Sequence, residues 1–497
     1  MKKNNPLRTA DEPSFVSDLN HNYLYFRRTK IVATIGPASN SNRMLEKLIG
    51  AGLNVARINF SHGDPKELSS LMERIRSVAR RMNKTVAILA DLCGPKIRVG
   101  MFKGDSIVLK DKSIVTVTID PVIGEGTVIP SQYKGLVKDV HIGQKILLDD
   151  GNLELKVVRK RERSVEALVV QGGILKNKKG MNLPDSKLSV SALTPKDRSD
   201  LVWAVKGGAD YIALSFVRTA QDIITLRHLL KSMKSDVSVI AKIEMPEALE
   251  NIHAIVDLSD GIMVARGDLG VELPARKVPI IQNKLIQLAN KANKPVIVAT
   301  QMLESMIEHS RPTRAEVTDV ASACLAGSDA VMLSAETASG KFPVEALSTM
   351  DEVLREAEAY QFFALNGKFT RAGMDENNQL YEALGTAIAQ LSRDLQARAV
   401  FVHTASGYTA RIVSADRPAA PILALTQSES VRRKLNLFWG VHPYPAKPGD
   451  DVNQCMKQGS EIITRLKLAK SGDYVLALAG LSERKIETAS LLVRKIG

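Results

Sequence analysis

Apolar and polar positions along this chain repeat in one order: a short aliphatic run, a break, a stretch with apolar residues at helical spacing, then the next run. The runs fall at 30–35, 53–60, 86–90, 209–216, 237–243, 260–265, 295–300 and 329–334. Helix-like stretches lie between them, among them 43–51, 65–82, 246–257, 280–292 and 343–358. Strand-plus-helix units in that number predict an α/β protein built on a closed (β/α)8 TIM barrel. An open doubly wound sheet is the alternative. Against it, polar candidate residues follow nearly every run, around what would be a ring.

Residues 95–192 break the rhythm. Short runs at 106–109, 114–118, 145–148, 153–158 and 164–170 alternate with Gly, Asp and Lys turns, which predicts a small β-barrel domain inserted after the third barrel strand. A domain there lies beside the carboxyl ends of the strands and is placed to act as a lid; a passive insertion is the alternative. The expected division is a polar N-terminal arm at 1–28, a barrel at 29–94 and 193–365, the lid at 95–192, and a C-terminal α/β domain at 378–497. A loose stretch with glycines and mixed charge, 366–378, reads as the linker before the last domain. That domain rests on a helix-like stretch at 380–395 and apolar runs at 399–403, 422–425 and 474–479.

The candidate chemistry centres on 239–270, where two apolar runs end in charged residues. Lys242 and Glu244 are two apart and share a face if the strand continues through them, and Asp268 arrives from the next strand. One ammonium and two carboxylates at a barrel rim suit metal-assisted chemistry on an anionic substrate. A rim salt-bridge cluster is the plainer alternative for these three residues alone.

Composition narrows the class of partner. The 497 residues carry 68 basic and 54 acidic side chains, net +14, with aromatics at only 4%. The basic residues are dispersed and have few aromatics among them for base stacking, so anionic small molecules are favoured over nucleic acid. Cys93, Cys324 and Cys455 lie far apart and form no metal-spaced cluster, which fits a reducing compartment. No apolar run has the length of a bilayer span. The first residues include Asp11, Glu12 and Asp18 and no apolar core, so no signal peptide is expected and the location expected is cytoplasmic.

Seven stretches carry a resemblance. They are 29–39 (TKIVATIGPAS), 56–63 (ARINFSHG), 94–98 (GPKIR), 240–244 (IAKIE), 261–270 (GIMVARGDLG), 299–306 (ATQMLESM) and 311–316 (RPTRAE). In that order they resemble the pyruvate kinase family from Thr29 to the C-terminus. The resemblance implies phosphoryl transfer from phosphoenolpyruvate to ADP, giving pyruvate and ATP. It also implies a barrel, a lid inserted after strand three and a C-terminal effector and assembly domain, usually in a homotetramer. By the same resemblance Lys242 stabilises charge on the transferring group, and Glu244 and Asp268 hold Mg2+ or Mn2+. Arg57 grips the substrate phosphate. The Gly267 and Asp268 amides face a carboxylate, and the Thr300 hydroxyl faces the enolate. Asn59, His62, Arg98 and Lys196 align with nucleotide-side positions, and Asp150 would reach the site from the lid.

Two departures bear on regulation. Many members bind K+ through Asn, Ser and Asp side chains and a Thr carbonyl, near a Glu. Here Asn59, Ser61 and Asp91 are kept, but the Thr position is Leu92 and the Glu position is Lys96. A lysine ammonium is a compact point charge that stands in for a monovalent cation, so K+ independence is expected. In the C-terminal domain, Thr404, Ser406, Gly407 and Thr409 resemble the family's effector-phosphate loop, whereas the second effector loop, 480–484, carries Glu483 and lacks the later glycine. A sugar phosphate other than fructose 1,6-bisphosphate, or AMP, or no effector at all, remains open. The rivals are a metal-dependent aldolase or lyase acting on pyruvate enolate on a similar barrel, and a basic RNA-binding protein.

Overall fold

A computed structural model describes residues 26–61, 63–361, 379–447, 452–479 and 490–497. The parts of the expected arm and linker at 1–25 and 366–378, His62 and the loop 480–484 lie outside the described residues.

Eight parallel strands close into a barrel: β1 (Lys30–Thr34), β2 (Val55–Asn59), β3 (Ala87–Asp91), β4 (Tyr211–Leu214), β5 (Ser238–Ile243), β6 (Gly261–Ala265), β7 (Val296–Ala299) and β8 (Ala330–Leu333). Each expected run overlaps one of them, and β1 pairs with both β2 and β8 to close the ring. The strands are apolar on both faces because both are covered. Val32, Val55, Leu89, Ile240, Met263 and Ile297 fill the barrel interior. Their neighbours Ile31, Ala56, Ile88, Val239, Ile262 and Val298 pack outward in the helix-facing core. This alternation positions the site. Arg57, Asp91 and Lys242 stand two residues beyond Val55, Leu89 and Ile240, so they continue the inner face onto the carboxyl rim.

One expected helix is split. The stretch 246–257 forms two helices, Pro246–Glu250 and Ile252–Leu258, with Asn251 between them. The Asn251 side-chain amide donates to the Arg218 and Glu247 carbonyls, which favours the break.

The inserted domain carries a six-stranded sheet and a two-stranded one around its own apolar core. Three of its strands were not expected: Val128–Pro130 and Met181–Asn182 are too short to leave a pattern, and Gly173–Lys176 opens on a glycine and closes on a lysine, leaving only Ile174 and Leu175 apolar. The C-terminal sheet has five strands. Val441–Pro445 was invisible to periodicity because Pro443 and Pro445 interrupt it; it lies at the sheet edge, where missing N–H donors are tolerated.

The C-terminal domain packs on the amino ends of the barrel strands, away from the rim. Arg417 pairs with Asp329 at 2.9 Å and Arg433 with Asp210 at 2.8 Å. Lys30 donates to the Val441 carbonyl at 2.6 Å, from a side chain left only 1% exposed. Burial, then Arg27, pulls the Lys30 ammonium down to about 7. A lysine lowered on folding binds fewer protons folded than unfolded, so this contribution to stability rises from pH 7 towards 10.5 and is lost as the pH falls. The slope reaches at most about 1.4 kcal/mol per pH unit. Lys30→Met should flatten that part of the melting-temperature profile; an unchanged profile would refute the assignment.

Among the described residues no helix is long and apolar enough to cross a membrane.

Candidate active site

The rim cluster is built around Asp91, at the end of β3 and 1% exposed. Arg57 places Nε and Nη2 on Asp91 Oδ2, both at 2.7 Å, and donates Nη1 to the Thr34 hydroxyl at 2.9 Å. On the other side Lys242 Nζ lies 3.4 Å from Asp91 Oδ1, 2.8 Å from Glu244 Oε1 and 2.7 Å from the Ser215 hydroxyl. Ser215 donates onward to the Leu92 carbonyl at 2.7 Å. Glu244 Oε2 accepts the Phe216 N–H at 2.7 Å. Two cations therefore flank one buried carboxylate, and a second carboxylate closes the row.

The titration of these groups follows from the packing. Burial alone would raise the Asp91 carboxyl, but Lys242 and Arg57 together hold it below the ordinary value. Burial opposes the charge on Lys242, and Asp91 and Glu244 more than offset this, so its ammonium is held well above the usual lysine range. Lys242 is a fixed positive charge at neutral pH, suited to electrostatic stabilisation and not to proton exchange. Burial pushes the Glu244 carboxyl up, Asp268 adds to the rise, and Lys242 opposes it.

Gly267 and Asp268 lie in the first turn of the helix Arg266–Glu272, directly after β6. The Gly267 N–H donates to Thr300 Oγ1 at 2.7 Å, and a Cβ at Gly267 would lie 3.3 Å from that hydroxyl. Thr300 and Gln301 both sit at positive φ, +70° and +55°, a strained arrangement for a β-branched residue. Arg266 clasps the turn: it donates to the Thr300 carbonyl at 2.7 Å and pairs with Asp319 at 2.6 Å. Gly267, Asp268 and Thr300 border a cleft of about 980 Å3, together with Lys96 and Asp150 from the lid side.

The remaining expected residues are more dispersed. Lys196 donates to the Phe60 carbonyl at 2.6 Å and pairs with Asp200. Arg98 donates to the Lys178 carbonyl at 2.9 Å within the lid. Asn59 Oδ1 accepts the Ser61 N–H at 3.0 Å. In the C-terminal domain, Gly407 at φ +91° donates its N–H to Thr404 Oγ1 at 2.9 Å, Ser406 is exposed and Thr409 is buried. Ser215 and Arg266 escaped the sequence reading. Ser215 directly follows β4, the same strand-end signal that marked the others; the clasp by Arg266 joins positions distant in sequence and has no local signal.

The donor set fits a divalent metal. Glu244 and Asp268 supply hard oxygens, and the Asp268 charge, which helps push the Glu244 carboxyl up, leaves room for a further cation between them. Among the described residues no group of three or more His, Cys, Asp or Glu is assembled for a metal, so the remaining ligands would be substrate oxygens and water.

A TIM-barrel rim with a fixed ammonium, a clamped arginine and two metal-competent acids beside an inserted domain has the parts that metal-assisted phosphoryl transfer requires. Two family models match the chain, "Pyruvate kinase, barrel domain" over residues 26–347 and "Pyruvate kinase, alpha/beta domain" over 382–493. The chain is 43% identical over 470 residues to the pyruvate kinase of Geobacillus stearothermophilus, covering 94% of this chain and 80% of that one. It is 42% identical over 468 residues to that of Staphylococcus aureus (strain MRSA252), with the same coverage. The crystal structure of a pyruvate kinase from Cryptosporidium parvum superposes with a TM-score of 0.86 at 36% identity, covering 94% of this chain and 96% of that one. The chain belongs to the pyruvate kinase family and is a glycolytic kinase that uses a divalent metal.

Proposed function

We propose that this enzyme transfers the phosphoryl group of phosphoenolpyruvate to the β-phosphate of ADP at the Arg57–Asp91–Lys242–Glu244 cluster. The observation that carries the reading is Lys242, protonated and held against Asp91, Ser215 and Glu244 at the barrel rim. A β-phosphate oxygen of ADP attacks phosphorus, the phosphorus–oxygen bond to the enol breaks, and the enolate takes up a proton to become pyruvate. Arg57 presents a planar fork to the phosphate, and Lys242 faces the charge on the moving group. The cation at Glu244 and Asp268 would neutralise charge on the phosphoryl and enolate oxygens. The Asp268 amide would hold the carboxylate, joined by the Gly267 amide on its release from the Thr300 hydroxyl, and Thr300 would face the carbon that becomes methyl. Asn59, His62, Arg98, Lys196 and Asp150 are assigned to the nucleotide side.

K+ is not required in this reading. The kept positions are held in place by protein partners, and the Lys96 charge takes the part of the monovalent cation: Asn59 Oδ1 accepts the Ser61 amide, the Leu92 carbonyl accepts the Ser215 hydroxyl, and Asp91 holds Arg57 and Lys242. Lys96 is exposed at the mouth of the cleft and forms no ion pair among the described residues, so its charge is available to the substrates. With Mg2+, pyruvate formation from phosphoenolpyruvate and ADP should proceed equally in Na+ and K+ salts at constant ionic strength. Lys96→Gln should lose turnover in Na+ and regain part of it in K+. A large gain from K+ in the unaltered enzyme would overturn K+ independence and leave the kinase reading standing. No turnover under any of these conditions would favour the lyase. A phosphorylated effector at Thr404, Ser406, Gly407 and Thr409 and a homotetramer complete the proposal.

A further inference from the structure

We propose that Arg218 and Glu272 are positioning residues that tie the lid's return segment to the two metal-binding acids, so that a divalent cation sets the position of the lid. The proposal rests on the metal reading above and extends it to residues outside that site.

The return segment runs from Met181–Asn182 to the start of the helix Pro195–Lys206. Two barrel side chains grip it. Arg218 donates Nη1 to the Leu188 carbonyl and Nη2 to the Val190 carbonyl, so its fork spans two points of one irregular segment. Its own backbone is fixed at both ends: the N–H donates to Asp222 at 3.0 Å and the carbonyl accepts from Asn251 at 3.1 Å. Glu272 accepts the Asn182 side-chain amide at 2.7 Å. Glu272 is 7% exposed, and its second oxygen, Oε2, is buried without a hydrogen-bond partner among the described residues. A group this costly to bury has a reason to be there other than stability.

Each grip leads by a short, stiff path to one metal-binding acid. Arg218 is two residues from Phe216, whose N–H holds Glu244 Oε2 at 2.7 Å. Phe216 sits at φ +55°, a conformation with few neighbouring alternatives for an aromatic residue. Phe216 also packs on the irregular segment that enters the lid, since a Cβ on Gly94 would lie 2.8 Å from its ring. Glu272 is one turn beyond Asp268 on the same helix, so the two share a face. Asp268, Phe216, Arg218, Glu272 and Asn182 border one small cavity of about 30 Å3 at the hinge. Glu244 and Asp268 would hold the cation, and any shift of these two acids on binding would carry the Phe216 loop and the Asp268 helix, and with them both grips on the return segment. The lid is the two-state element whose equilibrium the cation biases.

The test is amide hydrogen exchange on the full-length protein with Mg2+ alone, with Mn2+ binding measured separately by electron paramagnetic resonance. Mg2+ should slow exchange across residues 181–190 by about tenfold in the unaltered enzyme, and by less than about twofold in Arg218→Ala and Glu272→Ala, a span typical of coupling between sites. Both variants should still bind Mn2+, with an affinity within about tenfold of the unaltered enzyme's, the reciprocal of the lost coupling. Glu272→Gln keeps an acceptor for Asn182 and should retain the response. Asn182→Leu removes the same contact from the lid side and should lose it, which keeps the test valid if Glu272→Ala fails to fold. Full protection in Arg218→Ala and Asn182→Leu with the metal bound would overturn the coupling and leave the metal reading intact. Mn2+ binding unaffected by Glu244→Gln and Asp268→Asn would overturn the metal reading and the coupling together.

Discussion

Lys242→Met should lower kcat by about 10³-fold, the loss typical of removing one preorganised charge from a transition state. Lys242 is the cation that reaches both acids, 3.4 Å from Asp91 and 2.8 Å from Glu244, and those acids hold its proton through the whole working range. Methionine keeps the length of the side chain and removes the charge. The metal acids remain, so Mn2+ binding should persist while turnover falls, and single-turnover measurements should place the loss in the phosphoryl-transfer step. That step releases ATP and the enolate, and the enolate takes up a proton afterwards to become pyruvate, so ATP formation in a single turnover reads it directly. A loss below tenfold would mean that Arg57 and the metal carry the transferring group without Lys242.

Asp91→Asn should cost about 3 kcal/mol of stability, the lower part of the range for breaking a buried ion pair. The carboxylate is 1% exposed and faces Arg57 and Lys242 at once. Its replacement leaves two cations close together with nothing between them, and both are the groups assigned to the phosphate. kcat/KM for phosphoenolpyruvate should therefore fall by at least about 10²-fold. The pH dependence has a definite sign. The Asp91 carboxyl is depressed on folding from 3.8, so its contribution is present above that value and is lost as the pH falls through the lower folded value. Asp91→Asn should remove that part of the acid instability. A variant with unchanged stability and unchanged kcat/KM would show that Arg57 and Lys242 are held by other contacts.

Asp91 illustrates how far the sequence reaches. As a strand-end acid in a recognisable motif it was legible as a site residue, but only as a ligand in a monovalent-cation set. Its contact with Arg57 joins the ends of β2 and β3, and its contact with Lys242 crosses to β5. No local pattern reports which side chains meet across a barrel mouth. Ser215 is a similar case: a small hydroxyl after an apolar run is ordinary until Lys242 and the Leu92 carbonyl are found on either side of it. Arg218 and Glu272 lie further from any signal, because their partners, Leu188, Val190 and Asn182, belong to a different domain.

The barrel was legible because its determinants are local. Alternation of apolar residues within each strand and helical spacing between strands are properties of neighbouring positions, and eight such units have few ways to bury their faces. Periodicity put Lys242 and Glu244 on one face; that Arg57, Asp91 and Lys242 continue the inner face followed only once the structure showed Val55, Leu89 and Ile240 inside the barrel. What the tertiary structure alone decided is the pairing of charges. A buried cation or carboxylate is stable only against its partner, the partner lies tens to hundreds of residues away, and closure of the ring brings the two within hydrogen-bond distance. The sequence by itself therefore determined the barrel, the inserted domain and the face on which the chemistry sits, and the folded chain determined which charge holds which.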